Sequence, residues 1–176
     1  MNLRLFVAAE LSDDVRAALA AWRPDDPALR AVDDGGLHVT LCFLGWVDEA
    51  RVDAIGAAAT ASASPVGELA VRDGLWLPPR RPRVLAVQLD DSDGRLGAVQ
   101  EAVVRAMVEV AGHEPEARRF LPHVTVARVR RGARAPRGEL PPPPALRFAP
   151  PALTLYRSHL SREGARYEPL ARAPLR

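Results

Sequence analysis

The apolar positions of the chain fall into short strand-like runs and helical stripes, and the same succession occurs twice. Leu3-Arg4-Leu5-Phe6-Val7-Ala8-Ala9 is rich in strand formers and stops at Ser12-Asp13-Asp14, a helix-start pattern. Val15, Ala18, Leu19 and Trp22 then recur at helical spacing until Pro24. Asp33-Asp34-Gly35-Gly36 marks a turn into a second strand, Leu37 to Leu44, which Gly45 is expected to end. Asp48 and Glu49 open another helix carrying Val52, Ile55 and Ala59, and a strand near Glu68 to Arg72 completes a first half.

The second half repeats the order. A strand covers Arg83 to Leu89, and Asp91-Ser92-Asp93-Gly94 starts a helix whose apolar stripe is Leu96, Val99, Val103, Met107 and Val110. Gly112 is its expected C-cap, and Leu121 to Ala127 is the next strand. Two copies of one strand-helix-strand unit predict a bilobal, pseudo-twofold α+β protein with antiparallel sheets flanking a central cleft. Residues 130–147, rich in arginine and proline, read as an exposed loop without a fixed fold. A hairpin closes the chain, with strands at Ala152 to Leu160 and Ala165 to Leu170.

The length of 176 residues predicts a single domain over 1–176, and 48% hydrophobic against 26% charged residues excludes wholesale disorder. One cysteine, Cys42, can form neither an internal disulfide nor a cysteine-based zinc site, which argues for a reducing compartment. The apolar opening stretch is too short for a signal-peptide core or a membrane span, so a cytoplasmic location is expected. Charge is unevenly distributed: residues 1–117 carry 11 Arg and 19 Asp/Glu, while residues 118–176 carry 13 Arg and 3 Asp/Glu. A phosphate-facing side and a basic solvated tail both account for that split.

The repeat gains chemical meaning from one tripeptide. His38-Val39-Thr40 and His123-Val124-Thr125 lie 85 positions apart, each on an expected strand. Residues at i and i+2 share a strand face, so each motif sets imidazole beside hydroxyl while Val39, Leu41, Val124 and Val126 point the other way. The same alternation puts Cys42 on the face of His38, where a small core residue is the favoured reading. Joined across a pseudo-twofold, two imidazoles and two hydroxyls suit phosphate-ester chemistry. One neutral ring takes a proton from water, one imidazolium gives a proton to the departing oxygen, and the hydroxyls hold the non-bridging oxygens. Neither motif has the His-x-x-x-His spacing or flanking carboxylates of a metal site.

These residues resemble the two-histidine (2H) phosphoesterases, and among them the bacterial RNA 2′,3′-cyclic phosphodiesterases formerly described as 2′-5′ RNA ligases. The resemblance is carried by Arg4 to Ala8, Leu37 to Gly45, Pro82 to Leu85, Phe120 to Arg128, and Ser158-His159-Leu160 with Gly164 and Tyr167. It implies a bilobal α+β fold with the site between lobes, no metal or other cofactor, and opening of a terminal 2′,3′-cyclic phosphate to a 2′-phosphate. By the same resemblance His38 donates the proton to the leaving 3′ oxygen, His123 activates water, Thr40 and Thr125 bind phosphate, and Arg128 contacts it too. In a regular strand position 128 faces away from position 123, so that contact requires a bulge or a strand end after Ala127. The expected partner is RNA with a cyclic phosphate end, or a small cyclic nucleotide. No membrane and no obligate protein partner is implied, and a monomer is expected. The rivals are an ATP-independent 2′-5′ RNA end-joining enzyme and a non-catalytic RNA-end-binding module. Among the remaining residues, His113 is expected in solvent and His159 in a structural role. Trp76 beside Arg80, Arg81 and Arg83 suits either core packing or base stacking.

Overall fold

The duplicated pattern folds into two antiparallel sheets, described over all 176 residues by a computed structural model. Its elements are β1 (Asn2–Glu10), α1 (Asp13–Trp22), β2 (Leu29–Ala31), β3 (His38–Asp48), α2 (Val52–Ala61), β4 (Leu69–Leu77), β5 (Val84–Asp90), α3 (Arg95–Ala111), β6 (His123–Val129), β7 (Arg147–Phe148), β8 (Ala152–Ser161) and β9 (Gly164–Pro174). One sheet has the order β3-β1-β8-β9 and the other β2-β6-β5-β4-β7. The α+β expectation with antiparallel sheets is met.

Each copy of the repeat is an antiparallel pair in matching register. Glu10 stands opposite His38 and Ala8 opposite Thr40 in one lobe; Gln88 stands opposite His123 and Ala86 opposite Thr125 in the other. Two of the helices reach across between copies. α3, from the second unit, packs on β3 of the first sheet, while Trp22 at the end of α1 lies against Gly74 of β4 in the second sheet. A Cβ at Gly74 would come within 2.5 Å of that indole, so only glycine admits it. Val15 and Leu19 of α1, and Leu96, Val99, Val103 and Met107 of α3, all enter one core.

Several boundaries differ from the sequence reading. The strand near 68–72 does not complete the first half: β4 runs on to Leu77 and pairs with β5 in the second sheet, while the closing hairpin extends the first. Gly45 does not end β3. It adopts φ +71 at a register shift where Leu5 faces Gly45 and Phe6 faces Phe43, and the strand continues to Asp48. Asp91 starts α3 as expected, its carboxylate accepting from the backbone N–H groups of Leu96 at 3.1 Å and Gly97 at 2.7 Å. Residues 130–147 are irregular but not unattached. The Trp22 indole N–H donates to the Pro141 carbonyl at 3.0 Å, the Val71 N–H donates to Leu146 O at 2.9 Å, and Arg147–Phe148 pair with β4. No helix is long and apolar enough to cross a membrane.

Candidate active site

Two bulges decide which side chains face the cleft. In β3 the register steps from Ala8 opposite Thr40 to Val7 opposite Cys42, leaving Leu41 as the extra residue. In β6 it steps from Ala86 opposite Thr125 to Leu85 opposite Ala127, leaving Val126 extra. The carbonyl freed at each bulge still finds a donor: the Gln100 side-chain amide reaches Leu41 O at 3.3 Å, and the Val32 N–H reaches Val126 O at 3.0 Å. Beyond each bulge the alternation inverts. Leu41 and Cys42 are both buried and Phe43 turns out; Val126 and Ala127 are both buried and Arg128 turns out.

Cys42 therefore leaves the face of His38 and Thr40, contrary to the alternation argument, and Phe43 takes its place. Burial pushes the Cys42 thiol up to about 12, with Glu116 adding to the effect, so it remains a neutral core side chain. Arg128 gains the cleft position that a regular strand would have denied it. His38, Thr40, His123, Thr125 and Arg128 line one pocket of about 100 Å³. That is small beside the roughly 300–1,000 Å³ of sites that enclose whole small molecules.

Both imidazoles are held in the same tautomer. Nδ1 of His38 donates to the Gly36 carbonyl and Nδ1 of His123 to the Leu121 carbonyl, each at 2.7 Å. A carbonyl can only accept, so the proton sits on Nδ1 of the neutral ring and Nε2 is left for chemistry. The rings differ in their surroundings. Nε2 of His38 accepts from the Thr40 hydroxyl at 3.0 Å. Phe6 lies 4.8 Å from the His38 ring and Tyr167 meets it edge-on at 5.3 Å and 84°. Burial among these groups pushes His38 down to about 4; the Gly36 carbonyl opposes that, and the Arg128 guanidinium adds to it, with a smaller electrostatic contribution from His123. His38 is therefore neutral at pH 7.

Residues without a role in the sequence reading complete the pocket. Arg4, on β1, lies over the Phe43 ring at 4.6 Å and donates from Nη1 to the buried Ser158 hydroxyl at 2.9 Å. Phe6, Phe43 and Tyr167 supply apolar wall, with Val32 beside them. A Cβ at Gly36 would meet the Tyr167 ring at 3.2 Å, so this glycine sets how closely the tyrosine approaches His38. Arg4, Phe6 and Tyr167 fell in segments that carried the family resemblance, yet no local spacing marked them. His113 is half-buried rather than in solvent, and His159 is exposed and hydrogen-bonded through Nε2 to the Glu168 carboxylate at 2.7 Å.

Known proteins share this arrangement of strands. A family model described as the 2′-5′ RNA ligase superfamily matches residues 7–162. The chain belongs to this superfamily of 2H phosphoesterases. Its relatives include the RNA 2′,3′-cyclic phosphodiesterase of Escherichia coli K12, 33% identical over 96% of this chain and 94% of that one. The enzyme of the same name from Aeropyrum pernix is 34% identical over a stretch covering 60% of each chain. Among solved structures, Escherichia coli LigT complexed with 3′-AMP superposes with a TM-score of 0.84 at 28% identity over 99% of both chains. A Thermus thermophilus protein gives 0.80 at 27% identity over 98% of both.

Proposed function

We propose that the protein hydrolyses terminal 2′,3′-cyclic phosphates of RNA to 2′-phosphomonoesters by metal-independent acid–base catalysis. The observation that carries the reading is the pair of imidazoles, one from each His-x-Thr motif, each bound to a backbone carbonyl through Nδ1 rather than Nε2 and both lining one small pocket that also holds Arg128. The names of the two relatives support the same reaction.

Water attacks phosphorus, the bond from phosphorus to the 3′ oxygen breaks, and a 2′-phosphate with a free 3′ hydroxyl results. Nε2 of His123 accepts the water proton and Nε2 of His38 gives a proton to the leaving 3′ oxygen, the order that family resemblance implies. Each proton transfer contributes about 10²–10⁴ in rate. Thr40, Thr125 and Arg128 hold the non-bridging oxygens, on which negative charge grows as water adds. His38 by itself is neutral at pH 7, so it acts as acid only after an anionic phosphate draws a proton onto it. That protonation ends its acceptance of the Thr40 hydroxyl hydrogen, which then turns to the phosphate. The depressed proton affinity of His38 also favours a second order, in which His38 is the base and His123 the acid.

The test is a short RNA ending in a 2′,3′-cyclic phosphate, incubated with EDTA and resolved for 2′- against 3′-phosphate products. A 2′-phosphate product, lost in both His38→Ala and His123→Ala, supports the reading. Binding without turnover identifies an end-recognition module, and products joined to a 5′-hydroxyl RNA at high end concentration identify the end-joining reaction.

A further inference from the structure

A second depression begins at Arg128, where the small pocket ends. It has a volume of about 1350 Å³ and lies between the β4–β5 turn and the segment that follows β6. Its walls carry nine arginines and no carboxylate. None of the nine is in an ion pair, and every arginine–carboxylate pair of the protein lies elsewhere. Arg30 and Arg128 stand directly opposite each other on β2 and β6. Like charges in that position repel, a cost that a polyanion in the groove would relieve. Trp76 lies in the same wall, half-buried, packed on the core by part of its surface and open to the groove by the rest. Another depression also reaches Arg128, but there Glu101, Glu109 and Glu116 stand among its five arginines, whereas the first holds no carboxylate.

We propose that this groove binds the sugar-phosphate backbone of single-stranded RNA leading away from the terminal cyclic phosphate, with Trp76 as a stacking surface for one base. The small pocket takes the phosphate end, and the groove takes the chain behind it. Free guanidinium groups along a track beside an aromatic face are the chemistry that binds single strands without reading sequence. The preferred substrate class is therefore an oligonucleotide, not a cyclic mononucleotide. This inference rests on the phosphodiesterase reading, and the experiment separates the two.

Values of kcat/KM are compared for a cyclic-phosphate-ended RNA of about ten nucleotides, a length within the usual single-strand site range, and for a 2′,3′-cyclic mononucleotide. The variant replaces Arg80, Arg81, Arg134 and Arg137, all exposed and in no ion pair, by Gln. Four phosphate contacts give the wild type about a 50-fold fall in oligonucleotide kcat/KM between 50 and 200 mM salt, at a slope near −0.7 per contact. The variant is expected to lose that salt dependence and about ten-fold or more of its low-salt oligonucleotide activity, with mononucleotide turnover unchanged. Trp76→Leu, which keeps an apolar side chain on the core, is expected to cost the oligonucleotide alone about ten-fold. Equal effects of the arginine variant on both substrates, or none on either, overturn the inference, and no effect is also the outcome if the groove serves an acidic protein. Wild-type protein that turns over neither substrate refutes the phosphodiesterase reading instead.

Discussion

Replacing His38 by Asn isolates the cost of keeping an imidazole neutral in the cleft. The asparagine amide can still donate to the Gly36 carbonyl, as Nδ1 does, but does not titrate. In the unfolded chain the histidine takes up its proton near 6.5, whereas in the folded protein burial delays uptake to about 4. Between those values the unfolded state holds more protons, so stability rises with pH across the window and falls as the solution is acidified. At about 1.36 kcal/mol per pH unit of difference, the folded protein loses about 3 kcal/mol between pH 6.5 and pH 4 through this one group. Against a typical total of roughly 5–15 kcal/mol, that is a large share. Urea unfolding of wild type and His38→Asn at steps from pH 7.5 to 4 measures it. Groups common to both proteins cancel in the difference, so the wild-type curve should approach or cross below the variant's as pH falls, by about 3 kcal/mol in all. Curves that stay parallel to within about 0.5 kcal/mol, the ordinary scatter of unrelated substitutions, would refute the account of His38 as a buried neutral ring.

The same neutrality predicts that binding of inorganic phosphate at pH 7 takes up a proton, read by calorimetry in buffers of different ionisation enthalpy; His38→Asn should abolish the uptake. Zero uptake in the wild type favours His38 as the base. Gly36→Ala sets a methyl against the Tyr167 ring at 3.2 Å, and should lower kcat/KM while leaving stability within about 1–3 kcal/mol of wild type; unchanged activity would show that the Tyr167 contact does not position His38. Glu10→Ala removes the acceptor of the fully buried Thr154 hydroxyl and a two-bond contact with Arg172, at a cost of about 1–3 kcal/mol in urea unfolding. Adding Thr154→Val should restore part of that loss, since the orphaned hydroxyl goes with it.

The long elements were legible because their apolar residues repeat with a definite period. β1, α1, α3 and the two motif strands all stand within a few residues of where the pattern put them. β2 and β7, of three and two residues, are too short to show any period, and they form because β6 and β4 offer them an edge. β4 was cut short because Asp73-Gly74 reads as a polar break, although Gly74 is there to receive Trp22 from a helix about fifty residues away in sequence. The His and Thr positions were legible for a different reason, since i and i+2 share a face before any bulge intervenes. Past the bulges parity failed, and it misplaced Cys42. The bulges themselves arise from pairing with β1 and β5, and such register is not written in β3 or β6 alone. Arg4, Phe6 and Tyr167 reach the pocket by strand pairing across most of the chain, with no local signal at all.

A symmetric cleft is poorly suited to hydrolysis, because the reaction needs one group that accepts a proton and another that gives one. The repeat supplies matching histidines and threonines, and the residues that follow break the match. Five positions after His38 stands Phe43; five positions after His123 stands Arg128, each turned to the cleft by an equivalent bulge. On one side the partner is apolar and Phe6 and Tyr167 close around His38; on the other it is a cation, whose field reaches across the cleft and helps to hold His38 neutral. The two rings thus stand in different surroundings although their local sequences are nearly identical. Arg128 also stands at the mouth of the arginine-lined groove. One unpaired residue in β6, Val126, therefore aims the side chain that sets the surroundings of the two histidines apart and joins the small pocket to the surface beyond it.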